Sequence, residues 1–534
     1  MLRLHIVLAF FATALLFAVA DRQQRKEIEE SDFSHEDLVL QANGIAPSTL
    51  PPTFKFSFSN LKNKARFLAK QTYKPPKLST TDFLQGLPWN KYKEIVFRPE
   101  KSVWKKEGNP FQIQFFHPGH LYNTNVRIFE VRGDFAREIV YDPSSFDLSR
   151  LKGVGELPPN LGYSGFKIHY PINTQEHTDE FAVFQGASYF RINSKKQWYG
   201  LSARGIAINT GMNYPEDFPS FREFYLVKPD RTDSTIFIYA LLDGKTVTGA
   251  YEFEITPGKI SSVKVNAEII LRTKVDKVGI APLTSMFWYS ETRGIPKGQA
   301  YPESHDSDGL LIHTGKDEWV WRPLDNPKRT AVHSFHDEGL KGFGLIQRDR
   351  DFQSYQDSEM KYHLRPSAWV EPEAGWGKGS VQLLQNPTIQ DSDDNIGAFW
   401  VPENLPEPGS PFEFSYTVRW PDIDPLPESL AKVVATRIGE SQGDPDLKVF
   451  HVDFKGDSLN SLDEFAYLQA KIQTGENAEL VDYSVQKIEE TGVWRLTFRV
   501  LTKNVLRPAE LKAALAINQE TISENWTFTL EPNY

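Results

Sequence analysis

Residues 251–271 read YEFEITPGKISSVKVNAEIIL, and this stretch decides the fold class. On both sides of Pro257-Gly258, apolar side chains alternate with polar ones. The apolar positions are Tyr251, Phe253, Ile255, Val263, Val265, Ala267, Ile269 and Leu271. A period of two is that of a strand with one buried face, and a Pro-Gly pair marks a turn. The stretch therefore predicts two antiparallel strands.

The same period recurs along the chain from about Tyr92. Alternating runs include Phe111–Phe115, Val126–Ile128, Phe166–Tyr170 and Ile236–Ile238, and aromatic residues make up 13% of the sequence. Both features favour strands. Because strands and helices do not alternate regularly, the sequence predicts an all-β chain with a large antiparallel β-sandwich.

One segment has helical spacing instead. Phe58, Leu61, Ala65 and Leu68 are separated by three, four and three positions, and Pro75-Pro76 follows. This spacing predicts a short helix packed on the first domain.

A proline-rich segment suggests a division of the chain into domains. Pro402–Gly409 contains three prolines and a glycine in eight residues, so it cannot continue a helix or a central strand. We predict a large β-sandwich over residues 51–401, a linker over 402–409 and a smaller β-sandwich of immunoglobulin size over 410–534.

The first residues have the pattern of a secretory signal peptide. Residues 1–20 place Arg3 before an apolar run and end in Ala18-Val19-Ala20, and residues 21–50 are predicted to be a disordered or exposed extension. The sequence of 534 residues contains no cysteine, which excludes a thiol nucleophile or a thiolate metal site. An exported chain without disulfides suits the periplasm.

Charge and motifs exclude several further classes. The formal net charge of −10 argues against a nucleic-acid partner or an anionic membrane surface. The apolar run near the N-terminus is too short for a membrane span, so no membrane insertion is expected. The twelve histidines are scattered and calcium-loop spacing is absent, so we expect no metal and no cofactor. No Gly-x-Ser-x-Gly elbow appears either.

The candidate chemistry lies between His305 and Trp400, which holds five of the twelve tryptophans. The runs His305–Asp308, Arg348–Asp351 and Asp391–Asp394, in which carboxylates occur with arginines or histidine, lie in the same stretch. Flat aromatic faces suit sugar rings, whereas carboxylates and arginines bind hydroxyls or move protons. A carbohydrate is therefore the expected ligand.

Each of these features also has a purely structural interpretation. His305–Gly309 has the composition of an Asx-turn, and the acidic run Asp391–Asp394 has that of a solvated loop. Trp319 and Trp321 share one strand face, which either floors a sugar cleft or packs a core. The residues alone leave these alternatives open.

Ordered motifs from about Leu87 onward resemble the OpgG/OpgD (MdoG/MdoD) family of periplasmic glucan biosynthesis proteins. They include Gly186–Arg191, Tyr199–Gly205, Tyr239–Asp243, Thr248–Tyr251, Gly279–Met286, His305–Asp308, Trp321–Leu324, Lys341–Gly344, Arg350–Phe352, Arg365–Ser367, Trp376–Gly379 and Asp394–Ile396. The absence of a twin-arginine leader makes the chain more similar to the OpgG branch.

The resemblance implies a galactose mutarotase-like sandwich joined to an immunoglobulin-like domain. It also implies a role in making osmoregulated periplasmic glucans, through inverting hydrolysis of a β-1,2-glucan backbone. Carried over by motif, Asp394 is the general acid, Asp306 is the base end of a proton relay, and Tyr362 lies in that relay. The candidate substrate-binding residues in and beside the motifs are Trp319, Trp321, Arg322, Arg365, Trp369 and Trp376.

The expected partner is β-1,2-glucan, and a membrane glucan synthase and a second copy of the chain are further candidates. The loop Glu440–Asp446 is short, whereas OpgD-type enzymes have a longer insertion that helps to cover a partner's cleft. Two other functions therefore stay open: a glucan-binding scaffold without catalysis, and a branching transglycosylase.

Overall fold

The computed structural model describes residues 51–76, 80–155, 157–441, 443–463, 467–503 and 506–531. The predicted signal peptide (1–20) and N-terminal extension (21–50) lie outside these residues. Strands dominate the described chain and form stacked sheets, which confirms the all-β prediction.

The first half of the chain contributes short strands and then longer ones. Their bounds are β1 Phe54–Lys55, β2 Val96–Phe97, β3 Gln112–Phe116, β4 Arg127–Arg132, β5 Phe135–Glu138, β6 Phe146–Asp147, β7 Gly165–Tyr170, β8 Asp179–Gln185, β9 Tyr189–Ile192, β10 Ser202–Arg204, β11 Ala207–Ile208, β12 Ser220–Val227, β13 Ile236–Asp243, β14 Val247–Thr256, β15 Ser261–Leu271, β16 Val278–Ser285 and β17 Phe287–Tyr289.

The second half continues in the same manner. Its strands are β18 Ser304–His305, β19 Gly309–His313, β20 Trp319–Pro323, β21 Ala331–Glu338, β22 Gly342–Ile346, β23 Ala368–Pro372, β24 Lys378–Gln385, β25 Ile396–Pro402, β26 Pro411–Trp420, β27 Lys432–Ser441, β28 Asp444–Lys455, β29 Gln469–Thr474, β30 Ala478–Ile488, β31 Val493–Thr502, β32 Ala509–Ile517, β33 Glu520–Thr521 and β34 Asn525–Leu530.

The described helices are short. They are α1 Phe58–Ala69, α2 Asp82–Gln85, α3 Trp89–Tyr92, α4 Phe352–Tyr355 and α5 Asp457–Asn460, with 3₁₀ turns at Pro99–Lys101, Pro143–Ser145 and Tyr362–Leu364. None of these helices has both the length and the apolar character needed to span a bilayer.

Two large sheets enclose the first core. In the described part of the chain, the first sheet has sixteen strands in the order β1-β5-β4-β12-β13-β14-β15-β26-β23-β22-β19-β20-β34-β32-β29, with β33 beside β32. The second has ten, in the order β21-β24-β25-β16-β10-β9-β8-β7-β3, with β11 beside β16. Alternate residues of both sheets meet in one hydrophobic core, the arrangement of a β-sandwich.

The hairpin predicted from residues 251–271 is present. Strands β14 and β15 pair antiparallel, and Tyr251 lies opposite Ala267. The side chains of Tyr251, Phe253 and Val265 are fully buried between the sheets. The apolar residues that alternate in the sequence are therefore the ones that point into the core, and the polar residues between them lie on the outer face of the sheet.

The predicted helix is α1, and it covers the outer face of the first sheet. Its N-terminus is capped by Ser57, and Leu61 and Ala65 are buried against the sheet. The hydroxyl of Thr248 donates to the carbonyl of Ala65 at 2.8 Å. The spacing of the apolar residues gave both the helix and its buried side.

The strand after the proline-rich segment corrects one detail of the domain prediction. Sequence analysis assigned residues 410–420 to the second domain, but β26 pairs with β15 and β23 of the first sheet. Its inward side chains Phe414, Tyr416 and Val418 belong to the first core. The prolines mark a crossover between sheets, because β25 ends in the second sheet and β26 begins in the first. The two-domain division itself stays a prediction.

A second core lies at the far end of the first sheet. There β20, β34, β32 and β29 face a four-stranded sheet with the order β27-β28-β31-β30. The first sheet reaches this core through a parallel pairing of β20 with β34, in which Val320 lies opposite Asn525. One continuous sheet thus contributes to both cores.

Candidate active site

Asp394 lies two residues before β25 and faces solvent. Its side chain is 41% exposed, and its Oδ2 is 3.4 Å from the guanidinium of Arg191 in β9. Desolvation raises the pKa of Asp394 above its ordinary value, and the charge of Asp306 raises it further, whereas Arg191 and Arg365 lower it. An accessible carboxyl with a raised pKa can hold and deliver a proton.

Asp306 follows β18 and is buried at 4% exposure. Its backbone N–H donates to the carbonyl of Met286 at 2.8 Å, and its carboxylate accepts a hydrogen bond from the guanidinium of Arg365. Arg365 also donates to the carbonyl of Met360. The ion pair fixes the position of the Asp306 side chain, which is close enough for its charge to act on Asp394.

Tyr362 begins the 3₁₀ turn and is 1% exposed. Its hydroxyl accepts from Ser304 at 3.2 Å and donates to Oδ2 of Asp391 at 3.0 Å, while the guanidinium of Arg365 stacks 4.2 Å from its ring centroid. Burial raises the pKa of this phenol, so it stays protonated and acts as a hydrogen-bond donor.

The structure thus brings Asp394, Asp306, Arg365 and Tyr362 together, and the roles that the resemblance implies for them stay a prediction. It adds Asp391, which sequence analysis named only as the start of an acidic run. The signal for Asp391 was its position three residues before Asp394, in a loop that doubles back on itself.

Three of the tryptophans proposed to bind sugar are core residues. Trp319, Trp321 and Trp369 are buried in the second core. Trp319 stacks on Trp369 at 5.7 Å, and the guanidinium of Arg348 covers the face of Trp321 at 3.6 Å. The prediction that they stack on sugar is wrong for this structure because their faces are already covered. Period-two spacing put Trp319 and Trp321 on one face, but that face is the inner one.

Arg322 and Trp376 have other partners than the carboxylates. Arg322 is buried, donates to the hydroxyl of Thr529 and packs over Phe528. Trp376 is half-buried and packs on Trp400 and Tyr416, at 6.1 Å from each ring. Gly379, three residues after Trp376, pairs with Pro402 at the opposite end of β25 from Asp394, a separation of ~20 Å along the strand. The two predicted substrate contacts are therefore not part of this site.

Other aromatic residues flank the carboxylates instead. The pKa values of Tyr122 and Tyr189 are raised, mainly by burial and in part by the charge of Asp394, so both phenols lie near it. The side chain of Trp198 is exposed, at 47%, and its backbone N–H donates to the carbonyl of Leu364 in the Tyr362 turn. Tyr189 and Arg191 both belong to the motif Gly186–Arg191, and this motif was the sequence feature that could have identified Tyr189 as a site residue. Aromatic rings are the flat surfaces that a sugar site requires, and cations lie over two of these rings: Nζ of Lys361 is 4.4 Å from the ring centroid of Trp198, and the guanidinium of Arg204 is 5.1 Å from that of Tyr189.

A second layer of charge lies beneath Asp306. His305 is fully buried, and its Nε2 is 2.9 Å from Oε2 of Glu303 and 3.7 Å from Oδ1 of Asp308. Among the described residues, these three side chains form a group with its polar atoms within 4.8 Å of one another, the spacing of a metal site. Both ring nitrogens of His305 already have hydrogen-bond partners, so we assign no metal ligand here.

Comparisons with known proteins agree with the motifs. The family described as "Periplasmic glucan biosynthesis protein, MdoG" matches residues 56–530. The glucans biosynthesis protein G of Pectobacterium atrosepticum is 42% identical over 494 residues, which cover 90% of this chain and 94% of the relative. The protein of the same name from Pectobacterium carotovorum is 41% identical over equal shares.

Proposed function

Because the chain belongs to the MdoG family of periplasmic glucan biosynthesis proteins, its role is in glucan biosynthesis in the periplasm, and we propose that it acts there by hydrolysing the β-1,2-glucan backbone with inversion. One observation carries the proposal: an exposed carboxyl with a raised pKa, Asp394, lies beside a buried carboxylate held by arginine, Asp306. Two carboxyl groups in unlike environments are what glycoside hydrolysis requires.

Asp394 is the general acid of this proposal. Its 41% exposure lets a glycosidic oxygen approach, and its raised pKa keeps a proton available at higher pH than for an ordinary aspartate. Proton transfer to the leaving oxygen would let the C–O bond break as water attacks the anomeric carbon from the opposite face.

Asp306 is the base of this proposal, and it needs a relay. At 4% exposure its carboxylate is too enclosed for a substrate ring to lie against it, so the proton of the attacking water must travel through an intermediate group. Tyr362 is the group that the family motifs imply for that task. Arg365 holds it beside Asp306, although in this structure its hydroxyl donates to Asp391, so the proton must pass to Asp306 through a water or after the hydroxyl turns. A relay also removes the need for the 6.5–9.5 Å carboxyl separation that is usual in inverting enzymes.

The test is product analysis on linear β-1,2-glucan. We expect the wild-type chain to release shorter glucans whose first-formed anomer, observed by NMR, is inverted. Asp394→Asn should lower the rate by about 100-fold or more. The matched control is Asp393→Asn, in the same loop, whose carboxylate accepts from Thr388 and Gln390. Because the charge of Asp393 contributes to the raised pKa of Asp394, this variant should shift the pH profile without a comparable loss of rate. Equal rates for wild type and Asp394→Asn would remove Asp394 from the reaction.

A glucan-binding scaffold is the second candidate, and one feature favours it. Strand β27 ends at Ser441 and β28 begins at Asp444, so no long insertion is present there to cover a cleft. Binding of glucan by calorimetry without new reducing ends would identify a scaffold. Longer or branched products would identify a transglycosylase.

A further inference from the structure

We propose that His305 is a positioning residue, a buried imidazolium whose two N–H groups fix Asp306 and the Tyr362–Arg365 turn in their working geometry. This inference rests on the proposed function where it concerns catalysis. Its structural part, that the ring is doubly protonated and bonded on both sides, stands independently of any activity.

Both ring nitrogens of His305 face hydrogen-bond acceptors. Nε2 is 2.9 Å from the carboxylate of Glu303, and Nδ1 is 3.1 Å from Oε1 of Gln347. A neutral imidazole has one donor and one acceptor, so only the protonated ring satisfies both contacts.

The neighbours of Gln347 fix which end of its amide faces His305. Nε2 of Gln347 is 2.7 Å from the hydroxyl of Tyr355, and it also faces the carbonyls of His305 and Tyr362 at 3.2 Å and 3.3 Å. The Tyr355 hydroxyl donates to the carbonyl of Asp349, which leaves it as an acceptor for Gln347. Carbonyls accept only, so the amide nitrogen must lie on this side and the amide oxygen must face His305.

The charges around the ring support the same protonation state. Burial lowers the pKa of His305, but Asp308, Glu303 and Glu291 together raise it to about 9. Phe287 stacks on the ring at 5.4 Å and Tyr355 meets it edge-on at 5.2 Å, so both faces are closed to water. The positive charge of the imidazolium balances the negative charge of the carboxylates buried around it.

Hydrogen bonds connect the surroundings of His305 to the segments that carry Asp306, Tyr362 and Arg365. His305 directly precedes Asp306, and Ser304 on its other side donates to the Tyr362 hydroxyl. Gln347 donates to the Tyr362 carbonyl, and Arg350 donates to the carbonyl of Arg365 at 2.9 Å. The N–H of Gln347 and the guanidinium of Arg350 both contact the Ser367 hydroxyl. Loss of the His305 proton would therefore loosen the segments that carry Asp306, Tyr362 and Arg365 at once.

The first test is a direct observation of protonation. Long-range ¹H–¹⁵N NMR on the full chain labelled with ¹⁵N-histidine, with the His305 signal assigned through His305→Gln, should show two protonated nitrogens at pH 7. We expect titration near pH 9 in the wild type and at lower pH in Glu303→Gln. A neutral tautomer at pH 7, or a stoichiometric metal ion that is lost in His305→Gln by elemental analysis, would overturn the proposal.

The second test separates positioning from mere folding. On linear β-1,2-glucan, His305→Gln should lower kcat by up to about 100-fold with KM nearly unchanged, since misplacement affects the reacting groups more than binding. The ratio of the Glu303→Gln kcat to the wild-type kcat should fall as pH rises toward 9, because the variant loses the His305 proton at lower pH. A merely structural role would give a ratio that does not depend on pH. The control is His336→Gln, an exposed histidine on β21.

The two proposals fail in different ways. If the wild-type chain does not cut glucan, the hydrolytic function fails, and the NMR measurement still decides whether His305 is an imidazolium. If the wild type cuts and His305→Gln cuts equally well, the positioning role alone is wrong.

Discussion

The hydroxyl of Tyr362 donates its hydrogen bond to Asp391, 3.0 Å away, and not to Asp306. The tyrosine proposed to relay a proton is thus bonded to an acid that the family motifs did not single out. Asp306 contacts Arg365, which stacks on the same tyrosine ring. Two carboxylates therefore compete for the role of proton acceptor.

Paired substitutions distinguish these two acids. We expect Asp306→Asn to lower kcat by about 100-fold or more because it removes the base, and Asp391→Asn to lower it less because it only frees the Tyr362 hydroxyl. Rates should be measured on linear β-1,2-glucan, with thermal unfolding as the check that each variant folds. The opposite order of effects would make Asp391 the base.

Arg191 should tune the acid. Its guanidinium lowers the pKa of Asp394, so Arg191→Gln should raise that pKa further. Since the acid works in its protonated form, the alkaline limb of the kcat/KM profile should move to higher pH. Lys167→Gln, which breaks a 2.8 Å pair with Glu180 in the same sheet, is the control. A limb that stays in place in Arg191→Gln would show that Asp394 is not the group being titrated.

Stability should fall as the solution becomes alkaline. The pKa of His305 is raised to about 9 in the folded chain against 6.5 for an ordinary histidine. Its stabilisation is therefore complete below about pH 6.5 and is lost as pH rises through about 9. Burial, and after it the charge of Glu303, raises the pKa of Glu291 to about 7, so this carboxyl titrates mainly at lower pH than His305. Urea unfolding between pH 8 and 9.5 should show the loss in wild type and a flatter profile in His305→Gln.

The buried tryptophans should matter for folding more than for binding. Trp369→Ala is expected to lower the free energy of unfolding by about 3–5 kcal/mol while leaving glucan affinity per folded molecule unchanged. Trp198→Ala, at an exposed ring beside the Tyr362 turn, should do the reverse and weaken affinity by up to about tenfold. Calorimetry and urea unfolding on both variants test the pair. An affinity loss confined to Trp369→Ala would restore that residue to the binding surface.

The junction between the two cores should depend on one arginine. Arg348 is buried and pairs with Asp424 at 2.6 Å and Glu524 at 2.5 Å. Arg348→Met leaves both carboxylates without their cation and should lower the free energy of unfolding by about 3–5 kcal/mol. The control Arg419→Met breaks an exposed pair with Glu371 and should change it by about 1 kcal/mol or less. Similar losses from both would contradict the importance of burial.

The sequence predicted what depends on local spacing. Alternation gave the strands and their buried faces, as in β14 and β15, and three-four spacing gave α1. It could not say which face of β20 points inward, so Trp319 and Trp321 were assigned to a sugar surface when they pack a core. Nor could it show that β26 returns to the first sheet, since proline marks a break in a strand but not which sheet receives the next one.

The prediction of the candidate site residues depended on the family motifs more than on the physical chemistry of the sequence. Asp306 and Asp394 are far apart in the sequence, and only the family resemblance placed them together. Asp391, Arg191 and His305 became visible through hydrogen bonds and charges that depend on the folded chain. Spacing in a sequence carries no information on such contacts when the partners come from different sheets.

The parallel pairing of β20 with β34 has a consequence for how the molecule forms. Residues 320 and 321 pair with residues 525 and 526. The longest sheet therefore cannot be completed until nearly the whole described chain is present. Contacts this distant in sequence slow folding, and meanwhile the edge of β20 stays open to unwanted pairing. A chaperone that shields that edge until the C-terminal strands have formed would therefore raise the yield of native protein more than one that acts on the early hairpins.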